Sequence, residues 1–153
     1  GGQTAPASHA EIGLADRQND LMLNPEQIPA LLAMLDDDQT LYRQTGGVHT
    51  SVLTDGENSL LAAEDIGRHN SFDKLAGQML MNGIQPKTRM ILTTGRISSE
   101  MMQKAIRLGA SVVISRTSPS SMSVELAEKQ GITLIGYAKR HRFNVYTHPE
   151  RVA

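Results

Sequence analysis

At 153 residues the chain is long enough for one domain to bury a core without metal or disulfide staples. Its 15 Lys and Arg against 16 Asp and Glu leave a net charge of −1, which gives no argument for a nucleic-acid-binding or membrane-seeking surface. Cysteine is absent, which excludes disulfides, thiolate nucleophiles and thiolate metal ligands among these residues.

No apolar stretch approaches the ~20 residues of a membrane span, and no charged-then-apolar leader opens the chain. The expectation is a soluble, cytoplasmic protein. The opening Gly1-Gly2 without Met suggests a processed fragment with sequence missing upstream. Charge is unevenly spread: the first forty residues hold Glu11, Asp16, Asp20, Glu26, Asp36, Asp37 and Asp38 against Arg17 alone. The remainder therefore carries about +5, from 14 bases and 9 acids.

Residues 1–22 lack a sustained apolar pattern and read as an irregular arm or linker remnant, with one domain over 23–153. Asn24-Pro25 starts a helix whose Ile28, Leu31, Leu32 and Leu35 form one apolar stripe, with Pro29 blurring its start by a turn. Asp36-Asp37-Asp38 at its end is read as tolerated surface, since three consecutive acids do not share a helix face. The adjacent glycines of Thr45-Gly46-Gly47-Val48-His49 imply a close backbone approach, which makes Gly46 and His49 candidates for a site. Strands over 51–54 and 58–63 around Asp55-Gly56 read as a β-hairpin.

The stretch Glu64-Asp65-Ile66-Gly67-Arg68-His69-Asn70-Ser71-Phe72-Asp73-Lys74 crowds polar residues into a strand-to-helix corner. Phe72, Leu75, Ala76, Met79 and Leu80 give the helix its spacing, over 71–81, with Asn70 or Ser71 as its cap and Asn82-Gly83 as its stop. Free N–H groups at that helix start, beside Arg68 and His69, would favour an anion.

Strands over 90–94, 111–115 and 132–137 then alternate with helices over 98–108 and 119–130, and a short strand over 143–146 follows. Such alternation implies a mixed, partly parallel sheet covered by helices, an α/β class. Ligands of such sheets bind beyond the carboxyl ends of the strands. There the chain places Arg96 and Ser98, then Arg116 and Ser118, then Tyr137, Ala138, Lys139, Arg140, His141 and Arg142. With Arg68, these cations are expected to converge on one phosphate-binding edge, with Ser98 and Ser118 capping helices and Tyr137 available to stack on a base or sugar.

The order helix, hairpin, helix, strand-helix repeats resembles the three-layer α/β/α architecture of cytidine deaminases. His69 stands near that fold's first zinc position, but no Cys-x-x-Cys exists, and neither His9, His49, His141 nor His148 restores a ligand set, so zinc is not expected. Thr45-Gly46-Gly47-Val48-His49, Glu64 to Asn70 with Asp73-Lys74, and Val145-Tyr146-Thr147-His148-Pro149-Glu150-Arg151 are similar to the formate dehydrogenase accessory sulfurtransferase family, FdhD, in its C-terminal domain.

That resemblance implies a deaminase-like, zinc-free domain. It implies a carrier of sulfur from a cysteine desulfurase to the molybdenum bis(molybdopterin guanine dinucleotide) cofactor of formate dehydrogenase. The family's cofactor-contacting segment falls on Tyr137, Ala138, Lys139, Arg140, His141 and Arg142, and Asp65 or Asp73 is available for guanine N–H groups. The family's persulfide-bearing Cys-x-x-Cys is absent, so this chain is expected to bind GDP-like ligands without transferring sulfur. Two other readings stay open: a deaminase-type hydrolase using His69 and Glu100, and a structural interaction module. With 8 Met and few aromatics, adaptable contacts and a homodimer are further expectations.

Overall fold

The computed structural model describes residues 21–37 and 48–153. Residues 1–20 of the arm read over 1–22, together with Asp38 and Gly46, fall outside the described residues. Asn24 accepts from the Glu26 amide and Gln27 returns to the Asn24 amide, a reciprocal cap that starts the 3-10 turn Pro25–Gln27. Helix α1 (Ile28–Asp37) continues from it and buries the stripe Ile28, Leu31, Leu32 and Leu35. Strands β1 (His49–Thr54) and β2 (Ser59–Asp65) form the hairpin. Asp55 accepts from the amides of Glu57 and Asn58 at its turn, and Gly56 supplies the positive φ of 101°.

Helix α2 (Arg68–Asn82) begins three residues before the predicted start, with Gly67 as N-cap and no side-chain capping bond. Neither Asn70 nor Ser71 is the cap. The stop at Gly83 is left-handed, as the Asn-Gly pair suggests. Then follow β3 (Met90–Thr93), α3 (Ser99–Arg107), β4 (Val112–Ser115), α4 (Ser121–Gln130), β5 (Thr133–Lys139), β6 (Arg142–Val145) and a 3-10 turn, Pro149–Arg151.

The sheet runs β2-β1-β3-β4-β5-β6, with β3, β4 and β5 parallel and both outer pairs antiparallel. Alternation of side chains divides the core into two. On one face Leu53, Ile91, Val113 and Leu134 meet Phe72, Leu75 and Met79 of α2, Met101 and Met102 of α3, and Ala127 of α4. On the other, Val52, Leu92, Ile114 and Ile135 meet the α1 stripe and Leu23. The result is three layers with a mixed sheet, as the alternation of elements implies.

The last strand follows as expected, but the connection is shorter: β5 runs on to Lys139 and turns through Arg140-His141 straight into β6, so this segment is a hairpin tip.

Candidate functional site

Strand register aligns the ends that matter. Ser51 of β1 lies beside Thr93 of β3, which lies beside Ser115 of β4, all fully buried on the α2 side of the sheet. Ser51 Oγ is 2.8 Å from Ser71 Oγ and donates to Thr93 Oγ1 at 3.0 Å, while Thr93 Oγ1 accepts from the Gly95 amide at 3.2 Å. Ser115 Oγ donates to the Gly95 carbonyl at 2.6 Å and accepts from the Thr117 amide at 3.0 Å. A row of hydroxyls therefore fixes both polar groups of Gly95 under the carboxyl edge. Sequence reasoning missed this row; its signal is three hydroxyls at core-facing positions of otherwise apolar strands.

Gly95 is where Arg68 and His49 press closest. A Cβ there would lie 3.0 Å from Arg68 Cβ and 3.2 Å from His49 Nδ1, so glycine admits the contact. Burial, and then the adjacent Arg68 guanidinium, push the His49 imidazole below its ordinary pKa and favour its neutral form. Arg68 Nε and His69 Nδ1 are buried with no hydrogen-bond partner among the described residues. His69 Nδ1 stands 4.0 Å from Glu100 Oε2, too far for a hydrogen bond. Arg96 follows Gly95 in the chain and is exposed.

The two acids nominated for guanine are engaged elsewhere. Asp65 binds Lys74 Nζ at 2.8 Å and the Gly67 amide at 2.9 Å, closing the corner from β2 into α2. Asp73 pairs with Lys104 of α3 at 2.8 Å. Ser98 caps α3 by accepting from the Met101 amide. Ser118 does not cap α4; Ser120 does, because Pro119 is held in an extended bridge beside Ile97 and delays the helix by two residues.

Arg116 leaves the same edge toward the opposite face. Its guanidinium donates to Asp36 Oδ1 at 2.5 Å and to the Leu32 carbonyl at 3.3 Å, both on α1. Between α1 and the β5–β6 tip runs a groove of ≈ 320 Å³, with Pro29, Leu32 and Ala33 on one side and Arg116, Lys139 and Arg140 on the other. Ala138 is buried at its floor, whereas His141 and Arg142 are exposed around the tip. Tyr137 sits at a bulge in β5 with φ of 50°, its amide donating to the Thr117 carbonyl and its side chain about half exposed. The cations thus share an edge but fall into two places, Arg68 beside the imidazole of His49, and Arg116 with Lys139 and Arg140. Among the described residues no group of three or more His, Asp or Glu is placed to hold a metal ion.

A model of the FdhD/NarQ family matches residues 2–153. The chain belongs to the FdhD/NarQ family. Sulfur carrier protein FdhD of Bacillus subtilis (strain 168) is 43% identical over 132 residues, covering 86% of this chain and 50% of that protein. The protein of the same name from Halalkalibacterium halodurans is 40% identical over 130 residues, 85% of this chain and 48% of its own length. This FdhD/NarQ chain therefore spans about half the length of the curated relatives it matches. A crystal structure described as a formate dehydrogenase accessory protein from Desulfotalea psychrophila superposes with a TM-score of 0.79 at 36% identity, over 88% of this chain and 58% of that one. None of the helices described in this FdhD/NarQ domain is long and apolar enough to cross a membrane.

Proposed function

We propose that this chain is the nucleotide-binding part of a sulfur carrier acting in formate dehydrogenase maturation. Its cargo is the guanine-nucleotide end of molybdenum bis(molybdopterin guanine dinucleotide), and its protein partners are a cysteine desulfurase and formate dehydrogenase. The names of the relatives support the carrier role, and the observation that carries the ligand reading is the groove at the β5–β6 tip. Guanidinium forks and an ammonium suit phosphate oxygens, and a carboxylate suits the ring and exocyclic N–H groups of guanine. Arg116, Lys139 and Arg140 supply the first, and Asp36, which pairs with Arg116, is the acid that lines the groove beside them. Tyr137 at the adjoining bulge offers an aromatic face.

No residue here carries a thiol, so the persulfide belongs to polypeptide outside this chain. The work of these residues is to bind and orient the cargo while sulfur chemistry occurs on the carrier thiol. Calorimetry with GDP tests the reading. Binding should weaken by about 1.5–3 kcal/mol for Arg140→Ala, the usual size of a hydrogen bond to a charged group, with Arg107→Ala on the far end of α3 leaving it unchanged. Absence of binding heat, or equal affinity in wild type and Arg140→Ala, overturns it.

A further inference from the structure

We propose that His148 is a proton-operated latch that fastens the C-terminal turn to the end of α4 and, through that turn, seats the segment leading into α1. Its Nδ1 lies 2.7 Å from Glu150 Oε2, and its Nε2 lies 2.7 Å from the Glu128 carbonyl oxygen and 3.3 Å from Glu128 Oε2. A carbonyl and an ionised carboxylate only accept, and a neutral imidazole has one N–H; both contacts are satisfied together only by the imidazolium. The charged groups around the ring are Glu128 from α4 and Glu150 and Arg151 from its own turn. From β5 the partner is uncharged, the Thr133 hydroxyl, which donates to the His148 carbonyl at 3.0 Å. His148 also holds a left-handed φ of 45°, a conformation that a non-glycine residue keeps only when its surroundings enforce it.

The turn that this ring anchors reaches back to the start of the domain. The Leu23 amide donates to the Arg151 carbonyl at 2.7 Å, and the Ala153 amide donates to the Leu23 carbonyl at 3.0 Å. Leu23 is fully buried and directly precedes the Asn24 cap of the segment that becomes α1, one wall of the groove. Removing the ring proton sets a nitrogen lone pair against an oxygen at one of the two contacts, which loosens the turn and with it the seat of Leu23.

The contacts with the Glu128 carbonyl, and then with Glu150, raise the imidazole above its ordinary pKa, while His148 lowers that of Glu150. A raised His pKa gives a contribution fully present below the ordinary imidazole value and lost as pH rises through the folded value. A lowered Glu pKa gives one lost as pH falls through its own folded value. The latch is therefore closed between the two.

Nuclear magnetic resonance on the unliganded chain tests this without reference to any ligand, so its failure leaves the nucleotide reading standing. The ring should titrate above the ordinary imidazole value. Exchange protection of the Leu23 and Ala153 amides, corrected for intrinsic rates, should fall roughly threefold or more between about pH 6 and pH 9, since each pKa unit of difference changes the opening constant tenfold. His148→Gln should flatten that dependence, and Glu150→Gln, which keeps the side chain's shape, should lower the ring's pKa. A ring titrating at or below the ordinary value, or Leu23 and Ala153 protection independent of pH, overturns the proposal.

Discussion

Asp65 shows how one side chain can be committed to architecture while looking like a ligand group. Lys74, the Gly67 amide and Asn70 all point donors at its carboxylate and hold its pKa down to about 2. Because the folded value is depressed, the stabilisation is present above the ordinary value of 3.8 and is lost as pH falls through about 2. The group is partly exposed at the molecular surface, so the effect is weakened by salt. In a carboxyl-carbon titration Asp65 should show a midpoint near 2, and Lys74→Ala should move it up toward 3.8; an unmoved midpoint refutes the assigned cause. At this scale the sequence was partly legible. Crowding of charge at 64–74 was visible, but which acid meets which base was not, because Lys74 and Asp65 meet only once α2 folds back beside the end of β2.

Helix starts illustrate the same limit among elements. Ser98 is read correctly as a cap, since nothing competes with it. Ser118 ahead of Pro119 has the look of a cap before a first-turn proline, yet the Ile97 amide donates to the Ser118 carbonyl and the Ser120 amide donates to the Ile97 carbonyl. These bonds draw residues 118–119 into an extended bridge and pass the capping role to Ser120. Ser120→Ala should cost about 1 kcal/mol in urea denaturation, and Ser118→Ala less than about 0.5 kcal/mol. Equal losses would contradict the assignment. Helix α2 was harder still, because a glycine N-cap carries no side-chain signature and the helix simply runs back to Arg68.

Across the whole molecule the alternation of strand and helix was readable from apolar periodicity, but the face that each helix covers was not. The lateral order was not, since β1 inserts between β2 and β3 through pairings that no local pattern announces. The hydroxyl row at Ser51, Thr93 and Ser115 exists only through that order. Arg116 is the other long-range case. It stands at a strand exit like Arg68 and Arg96, but its partner Asp36 comes 80 residues earlier in the chain and draws it across to the α1 side. The cations therefore gather in two places along one edge.

The bridge between Leu23 and Val152 makes the described fold nearly a closed loop. A short linker from residue 153 to residue 21 would span that gap, and the β1–β2 turn, exposed at Glu57 and Asn58, offers a place to open new ends. Such a circular permutant should give the amide spectrum of the parent away from the two edited sites. A collapsed spectrum would mean that the β1–β2 turn organises the hairpin, and is more than a tether between two strands.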